Sequence, residues 1–281
     1  MSDPADGAVP GDVVPSGVVP SGAVQSVVNA LRVLEAIAST QPVGVSDLAR
    51  AVALPKSSVQ RAARTLHHAG WVRPIGTEQT RWALTSHMLA LSLTAYGEYS
   101  LRELAQPAML HVRDQTGETV HLVVLDREHD EGIVLHRVDS TQAVRAFVQV
   151  GSRSPLHATA SGLAMLSGMP EPDVERVLSR ALPAYTRHTT IDPGALRDRI
   201  VEVRQRGFAV NQGEWRPEVA SISSPIVRSD GTALAAITIS IPFSRFSVDQ
   251  VPDYGALVVA ASRGLGAAVP AEFMKPAVDE P

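Results

Sequence analysis

Residues 45–69 contain two short amphipathic segments separated by a proline, and this pattern constrains the fold more than any other feature of the chain. In the first segment Leu48, Ala49 and Val52 fall on one face of a helix. Ser46 precedes them, and its hydroxyl can cap the first turn by accepting a backbone N–H. The pattern therefore predicts a short helix that begins at Ser46 and packs through one apolar face.

The second segment follows Pro55, which is tolerated in a turn or in the first turn of a helix because no N–H is needed there. Ser57 or Ser58 is expected to cap this helix, and Gly70 is expected to end it. Apolar residues recur at spacings of three and four, at Val59, Ala62, Ala63, Leu66 and Ala69. Together the two segments predict a helix-turn-helix.

The polar face of the second helix has the chemistry of a surface that reads DNA. Short hydroxyl and amide side chains at its start suit base edges in the major groove, and the cations can bind phosphates or guanine. Strands on either side of a turn at 76–80 would add a hairpin wing. The residues expected to contact DNA are Ser46, Lys56, Ser57, Ser58, Gln60, Arg61, Arg64 and Arg81.

Charge favours this interpretation over an ordinary helical hairpin with a solvated basic face. Residues 23–85 hold seven basic and three acidic side chains, a net charge of +4, whereas the whole chain carries −4. Local charge, rather than net charge, decides the attraction to phosphates. We therefore expect a basic module for double-stranded DNA within a weakly acidic protein.

Composition limits the other classes of function. A chain of 281 residues with 44% hydrophobic content can build two domains with their own cores. It has no run of eighteen apolar residues and no secretory signal pattern, so a cytoplasmic protein is expected. The lack of cysteine excludes disulfides, and nine histidines without metal-binding spacing predict neither a metal nor a cofactor.

The chain is expected to divide into five parts. Residues 1–22 contain Val-Val-Pro-Ser-Gly twice in succession and are predicted to be a disordered tail, as are residues 271–281. The DNA-binding domain is expected over 23–85 and an apolar linker helix over 86–99. A second domain is expected over 100–270.

The second domain mixes helices with strands. One hairpin is expected to pair 119–125 with 132–138, and another to pair 219–227 with 233–241 across Ser229-Asp230-Gly231. Helices are expected at about 101–115, 158–167, 172–179, 193–206 and 248–268. This order predicts an α+β fold around an antiparallel sheet.

Six short stretches, in order between Ala23 and about Pro270, make the chain resemble the IclR (isocitrate-lyase-regulator) family of transcriptional regulators. They are Ala30–Leu34, Leu54–Val59, Thr116–Leu122, Gly151–Ala160, Arg206–Val210 and Ser224–Ile226. The resemblance implies a winged helix-turn-helix, a linker helix and a GAF-like effector domain with its pocket on a curved sheet. It also implies dimers that pair through the N-terminal domains and often double into tetramers.

The resemblance further implies an effector, commonly a small organic acid or an aromatic catabolite. The residues that would hold it are Ala160, Ser161, Asn211, Ser221, Thr238 and Ser240. Hydroxyls at alternate positions share one face of a strand, so Thr238 and Ser240 would present two donors together. Hydroxyls and helix N-terminal N–H groups suit a carboxylate without a full positive charge. The same pattern would also fit the solvent face of a sheet.

Two residues depart from the family pattern. Ser221 stands where many relatives have cysteine, and Asn211 stands where many have aspartate, so the pocket is expected to be less acidic. We hypothesise that the dimer binds a palindromic operator upstream of a catabolic operon and represses it, with activation as the alternative.

Two other classes of function are less compatible with the sequence. A scaffold with a degenerate DNA module would have lost its basic residues, yet Lys56, Arg61 and Arg64 are present. A hydrolase could be assembled from His157, Ser154, Ser161 and Asp192, but the chain has no Gly-x-Ser-x-Gly elbow and no phosphate-binding loop. We therefore do not expect an enzyme, and His157 is expected to bond backbone at a helix entry.

Overall fold

A computed structural model of the protein describes residues 22–76, 79–96 and 101–269. The predicted tails therefore lie outside the described residues, apart from Gly22, and so do two residues of the predicted wing turn and the end of the predicted linker. The chain forms two compact units that divide between Gly97 and Glu98.

The N-terminal unit contains the predicted helix-turn-helix and wing. Its elements are α1 Gln25–Thr40, β1 Val43–Gly44, α2 Val45–Ala51, α3 Lys56–His68, β2 Val72–Ile75, β3 Arg81–Leu84 and α4 His87–Tyr96. The strands form an antiparallel sheet in the order β1-β3-β2. Ile37, Leu48, Val59 and Ala63 are fully buried in one core that joins α1, α2 and α3. Helix α1 and strand β1 are additions to the predicted elements.

The predicted N-caps are wrong. Helix α2 begins at Val45 with Gly44 in the N-cap position, because β1 leads directly into it, and Ser46 lies inside its first turn. Helix α3 follows Pro55, whose extended backbone starts the helix without a side-chain cap, so neither Ser57 nor Ser58 serves as one. Ala69, beyond the last helical residue, is exposed rather than on the packed face.

The predicted end of α3 is confirmed. Gly70 has a φ of +83°, a left-handed conformation that costs glycine little. The Trp71 N–H then donates to the Leu66 carbonyl at 2.9 Å, which closes the helix and directs the chain into β2.

The C-terminal unit is the predicted α+β fold. Its elements are α5 Leu101–Thr116, β4 Thr119–Asp126, β5 Glu131–Val138, β6 Arg153–Pro155, α6 Ala160–Ser167, α7 Glu171–Leu178, α8 Pro193–Arg206, β7 Ala209–Gln212, β8 Val219–Val227, β9 Ala233–Pro242 and α9 Val251–Ala268. The six strands form one antiparallel sheet in the order β6-β5-β4-β9-β8-β7, and both predicted hairpins are present. The expected helix at 248 begins instead with a 3₁₀ turn, Val248–Gln250, and β6 is a further strand beyond those predicted.

Helices cover both faces of this sheet. On one face Leu122, Ile237 and Ile239 pack in a core with Met109 of α5 and Val258 of α9. On the other face Val123, Leu125 and Ala236 pack in a core with side chains of α6, α7 and α8. Because side chains alternate along a strand, Thr238 and Ser240 belong to this second face. Both are buried, so they do not form the solvent face of the sheet.

Candidate functional site

Helix α3 turns one face into the core and the opposite face to solvent. Val59, Ala63 and Leu66 are buried, while most of the predicted DNA contacts are exposed. The exposed ones on α3 are Lys56, Ser57, Gln60, Arg61 and Arg64, and Ser58 is half-buried. The structure therefore gathers six of the eight predicted DNA contacts along this one helix.

The other two predicted contacts lie outside α3. Ser46 is exposed in α2, and Arg81 is exposed at the start of β3, where it donates to the Pro42 carbonyl at 3.3 Å. Arg73 of β2 is a further exposed cation in the wing that the sequence pattern did not single out.

In the C-terminal unit all six predicted effector residues line one cavity, which has a volume of about 50 Å³. They are Ala160 and Ser161 of α6, Asn211 of β7, Ser221 of β8, and Thr238 and Ser240 of β9. The cavity also includes His121, Phe147, Trp215 and Arg216. A water molecule needs at least about 10–15 Å³, so in this arrangement the cavity has room for a few waters or a very small acid.

Strand register brings these polar residues together. Ser221 lies opposite Ser240 and also opposite Asn211 on its other side, while His121 lies opposite Thr238. Four neighbouring strands thus place polar side chains on the face that α6 covers.

His121 fixes the direction of the Ser240 hydroxyl. Its Nε2 accepts the Val148 N–H at 3.0 Å, so in the neutral ring the proton lies on Nδ1, which donates to Ser240 Oγ at 3.1 Å. Burial, reinforced by the Arg137 guanidinium, lowers the pKa of His121 from 6.5 to about 4, so the ring is neutral at neutral pH. The Ser240 O–H then has no acceptor among the described residues and can donate into the cavity.

Thr238 does not provide the second donor that the sequence predicts. Ser223 Oγ donates to the Ile237 carbonyl at 3.0 Å, so in its 2.8 Å bond with Thr238 it is the acceptor. Thr238 donates its proton to Ser223 and offers lone pairs to the cavity. The strand therefore presents one donor and one acceptor, because the neighbouring strand sets the direction of the second hydroxyl.

Two other cavity residues also have protein partners. Ser161 Oγ bonds Thr159, which caps α6 by accepting the Gly162 N–H at 3.0 Å. Asn211 donates from Nδ2 to the Ala158 carbonyl at 2.9 Å and accepts the Glu214 N–H at 3.2 Å. An ionised aspartate could not donate to Ala158, so the amide here joins β7 to the segment before α6.

Arg216 is the charged residue that sequence reasoning missed. It lines the cavity, is half-buried, and lies 4.6 Å from the centre of the Trp215 ring. It comes from the loop between β7 and β8, where no periodicity marks which side chains point inwards. We found no signal in the sequence that could have identified it.

In the described residues no hydrogen bond joins His157 to the other residues of the hypothetical hydrolase, Ser154, Ser161 and Asp192. His157 Nε2 bonds the Pro183 carbonyl at 3.0 Å, and this confirms the expected structural role. Asp192 caps α8 by accepting the Ala195 N–H at 2.7 Å, and Ser154 lies 3.4 Å from the Gly132 carbonyl. Across the described ranges no group of three His, Cys, Asp or Glu could hold a metal, and no helix is long and apolar enough to cross a membrane.

Comparison with known proteins identifies both units. Residues 26–76 match the family model for the IclR helix-turn-helix domain, and residues 94–267 match the model described as bacterial transcriptional regulator IclR C-terminal. The transcriptional repressor IclR of Escherichia coli is 31% identical over 85% of this chain and 88% of that protein. The acetate operon repressor of Salmonella typhimurium is 33% identical over the same shares, 85% and 88%.

A solved structure is similar in fold to this chain. It is an IclR homologue from Microbacterium hydrocarbonoxydans complexed with 4-hydroxybenzoate, with a TM-score of 0.72 and 27% identity, covering 87% of this chain and 100% of that one. The two curated relatives are named as repressors, not as enzymes.

Proposed function

The chain belongs to the IclR family of bacterial transcriptional regulators, and on that premise we propose that it is a ligand-responsive repressor of a catabolic operon. Its operator is palindromic, and it binds as a dimer or tetramer. Its effector is a small organic or aromatic acid. The observation that carries the effector proposal is the cavity lined by all six predicted residues, which come from separate elements.

The DNA contacts follow from the exposed face of α3. Ser57 and Gln60 at its start read base edges, and Lys56, Arg61 and Arg64 bind phosphates or guanine. The wing adds phosphate contacts from Arg73 and Arg81, and Ser46 and Ser58 add hydroxyl contacts from α2 and α3. Phosphate contacts make affinity fall steeply with salt, whereas base contacts set the sequence preference.

Exposed apolar residues on α1 support pairing through the N-terminal unit. Val27 and Leu31 of α1, and Val24 directly before it, are each more than half exposed and recur at spacings of three and four, so they form one stripe. A dimer that buries this stripe would need its two α3 helices about 34 Å apart to reach successive major grooves. Residues 86–99 would then link this domain to the effector domain at 100–270.

A binding measurement tests the proposal. Purified protein is titrated against labelled DNA from its own upstream region, across a salt series and with a panel of carboxylates and aromatic acids. We expect specific, salt-sensitive binding that one compound weakens. Specific binding that no compound alters would contradict the effector half of the proposal. No specific binding would contradict the regulator and favour a scaffold.

A further inference from the structure

The loop between β7 and β8 carries an arginine whose charge has no partner among the described residues. Arg216 lines the cavity and stacks on Trp215, and we find no ion pair to it within residues 22–76, 79–96 and 101–269. A half-buried cation without a counter-ion loses solvation, and a cation–π contact such as that with Trp215 offsets only part of this cost. A bound anion would supply the missing counter-charge.

The loop holds two acidic side chains, of which Glu218 is exposed and Glu214 is already paired. Both carboxylate oxygens of Glu214 accept from Arg199, at 2.6 and 2.8 Å, and the Glu214 carbonyl accepts from the hydroxyl of Thr189. Gly213, with a φ of +71°, turns the chain close against Pro217. The loop is therefore tied down beside Arg216, so the position of this arginine is set by the fold.

The wall of the cavity contains no aspartate or glutamate among the described residues. Arg137, close to the cavity, has Phe147 beneath its guanidinium and donates to the Val148 carbonyl at 3.4 Å. Arg137 is paired with the Asp139 carboxylate at 2.7 Å, whereas Arg216 adds a positive charge to a wall that has no carboxylate among the described residues. Two hydroxyls of this wall, that of Ser221 and that of Ser240 described above, have no acceptor among the described residues.

We propose that Arg216 binds the carboxylate of the effector, while Ser240 donates a hydrogen bond to a second acceptor atom of the same molecule. This inference rests on the proposed function, because it assigns two roles within the same effector site. It names the ligand class more narrowly: an anion that also carries a hydrogen-bond acceptor, rather than any small polar molecule.

The test compares acids with their uncharged amides. Calorimetric titration of the full chain with 4-hydroxybenzoate, benzoate, succinate and lactate is followed by the corresponding amides. Three variants are measured beside the wild type: Arg216→Gln, Arg216→Lys and Arg187→Gln. Arg187 is an exposed arginine of the same unit that does not line the cavity, and it serves as the matched control.

We expect at least one acid to bind the wild type more tightly than its amide. Arg216→Gln should weaken that acid by about 10- to 100-fold, the usual range for removing a charge-assisted bond, and should bring acid and amide close together. Arg216→Lys should retain part of the preference for the acid over its amide. The control Arg187→Gln should retain all of this preference. A variant that merely perturbs the fold would weaken both ligands equally, and circular dichroism checks this independently.

Three results would overturn the assignment. They are an unchanged acid-to-amide ratio in Arg216→Gln, a wild type that binds only uncharged compounds, and a wild type that binds none of the acids. The first two leave a ligand-responsive regulator intact. Failure of the proposed function itself would be recognised separately, as loss of specific binding to upstream DNA.

Discussion

Lowering the pH from 7 to 5 should destabilise the C-terminal unit through His121. Burial, reinforced by Arg137, holds the pKa of the folded ring at about 4, while the unfolded ring has the ordinary value of 6.5. Between pH 6.5 and pH 4 the ring is therefore protonated in the unfolded chain but remains neutral in the folded chain. The contribution of His121 to stability is therefore fully present above pH 6.5 and is lost as the pH falls towards 4.

The two pKa values set the size of the effect. Linkage gives a total of about 3 kcal/mol, of which about 2 kcal/mol is lost between pH 7 and pH 5. For a unit of about 150–250 residues each kcal/mol moves Tm by about 2–4 °C. His121 alone should therefore lower Tm by about 4–8 °C over this range.

The assay is thermal unfolding of the wild type and of His121→Gln across this pH range. Glutamine retains a donor and an acceptor but does not titrate. The other histidines and the carboxylates titrate in both proteins, so the difference between the two curves isolates His121. Equal pH dependence in the two proteins would refute the buried neutral ring. An NMR titration of the wild-type ring, expected to stay neutral down to pH 5, gives the same answer even where the variant fails to fold.

Three further substitutions test the remaining assignments. Arg64→Ala should weaken operator binding and reduce the slope of log K against log salt by about 0.9 for each phosphate that the arginine neutralises. The exposed control Arg263→Ala should leave this slope unchanged. The same unchanged slope in Arg64→Ala would remove Arg64 from the interface. Ser240→Leu should fill the cavity, leaving operator binding intact in gel-shift assays and abolishing the effector response; a preserved response would place the ligand elsewhere. Leu31→Glu should convert dimers to monomers in sedimentation velocity without lowering Tm. Leu34→Glu, at a buried position, should instead unfold the domain. A Leu31→Glu protein that remains dimeric would exclude α1 from the interface.

Periodicity predicted the elements of the fold because most of them bury one face. Strand β8 matches its expected bounds, and the alternation of Ser221 with Ser223 placed both hydroxyls on the correct face. The caps could not be predicted in the same way. Gly44 replaces Ser46 at the start of α2 because β1 pairs with β3, a contact between residues about forty positions apart.

Which cavity groups donate hydrogen bonds and which accept them was harder to predict than where the cavity lies. The proton of Thr238 is directed by Ser223 on the next strand, and that of His121 by the Val148 N–H, 27 residues along the chain. Such directions depend on strand register and on loop placement, which no local pattern encodes. Arg216 was missed for a related reason, since a loop has no repeat that separates inward from outward side chains.

These hydrogen bonds also determine how the cavity would choose among ligands. A site rejects an analogue strongly when the loss of one ligand group leaves a buried protein group unpaired. Three cavity residues keep their protein partners without a ligand: Ser161, Asn211 and Thr238. A compound that fails to contact them therefore loses little binding free energy. In contrast, the hydroxyls of Ser221 and Ser240 would lack an acceptor and the charge of Arg216 would lack a counter-ion. Under the proposed assignment, the affinities of an acid and its amide should therefore differ strongly. Acids that differ only in their apolar parts should bind with similar affinity. Phe147 and Trp215, in the cavity wall, would set the upper limit of ligand size.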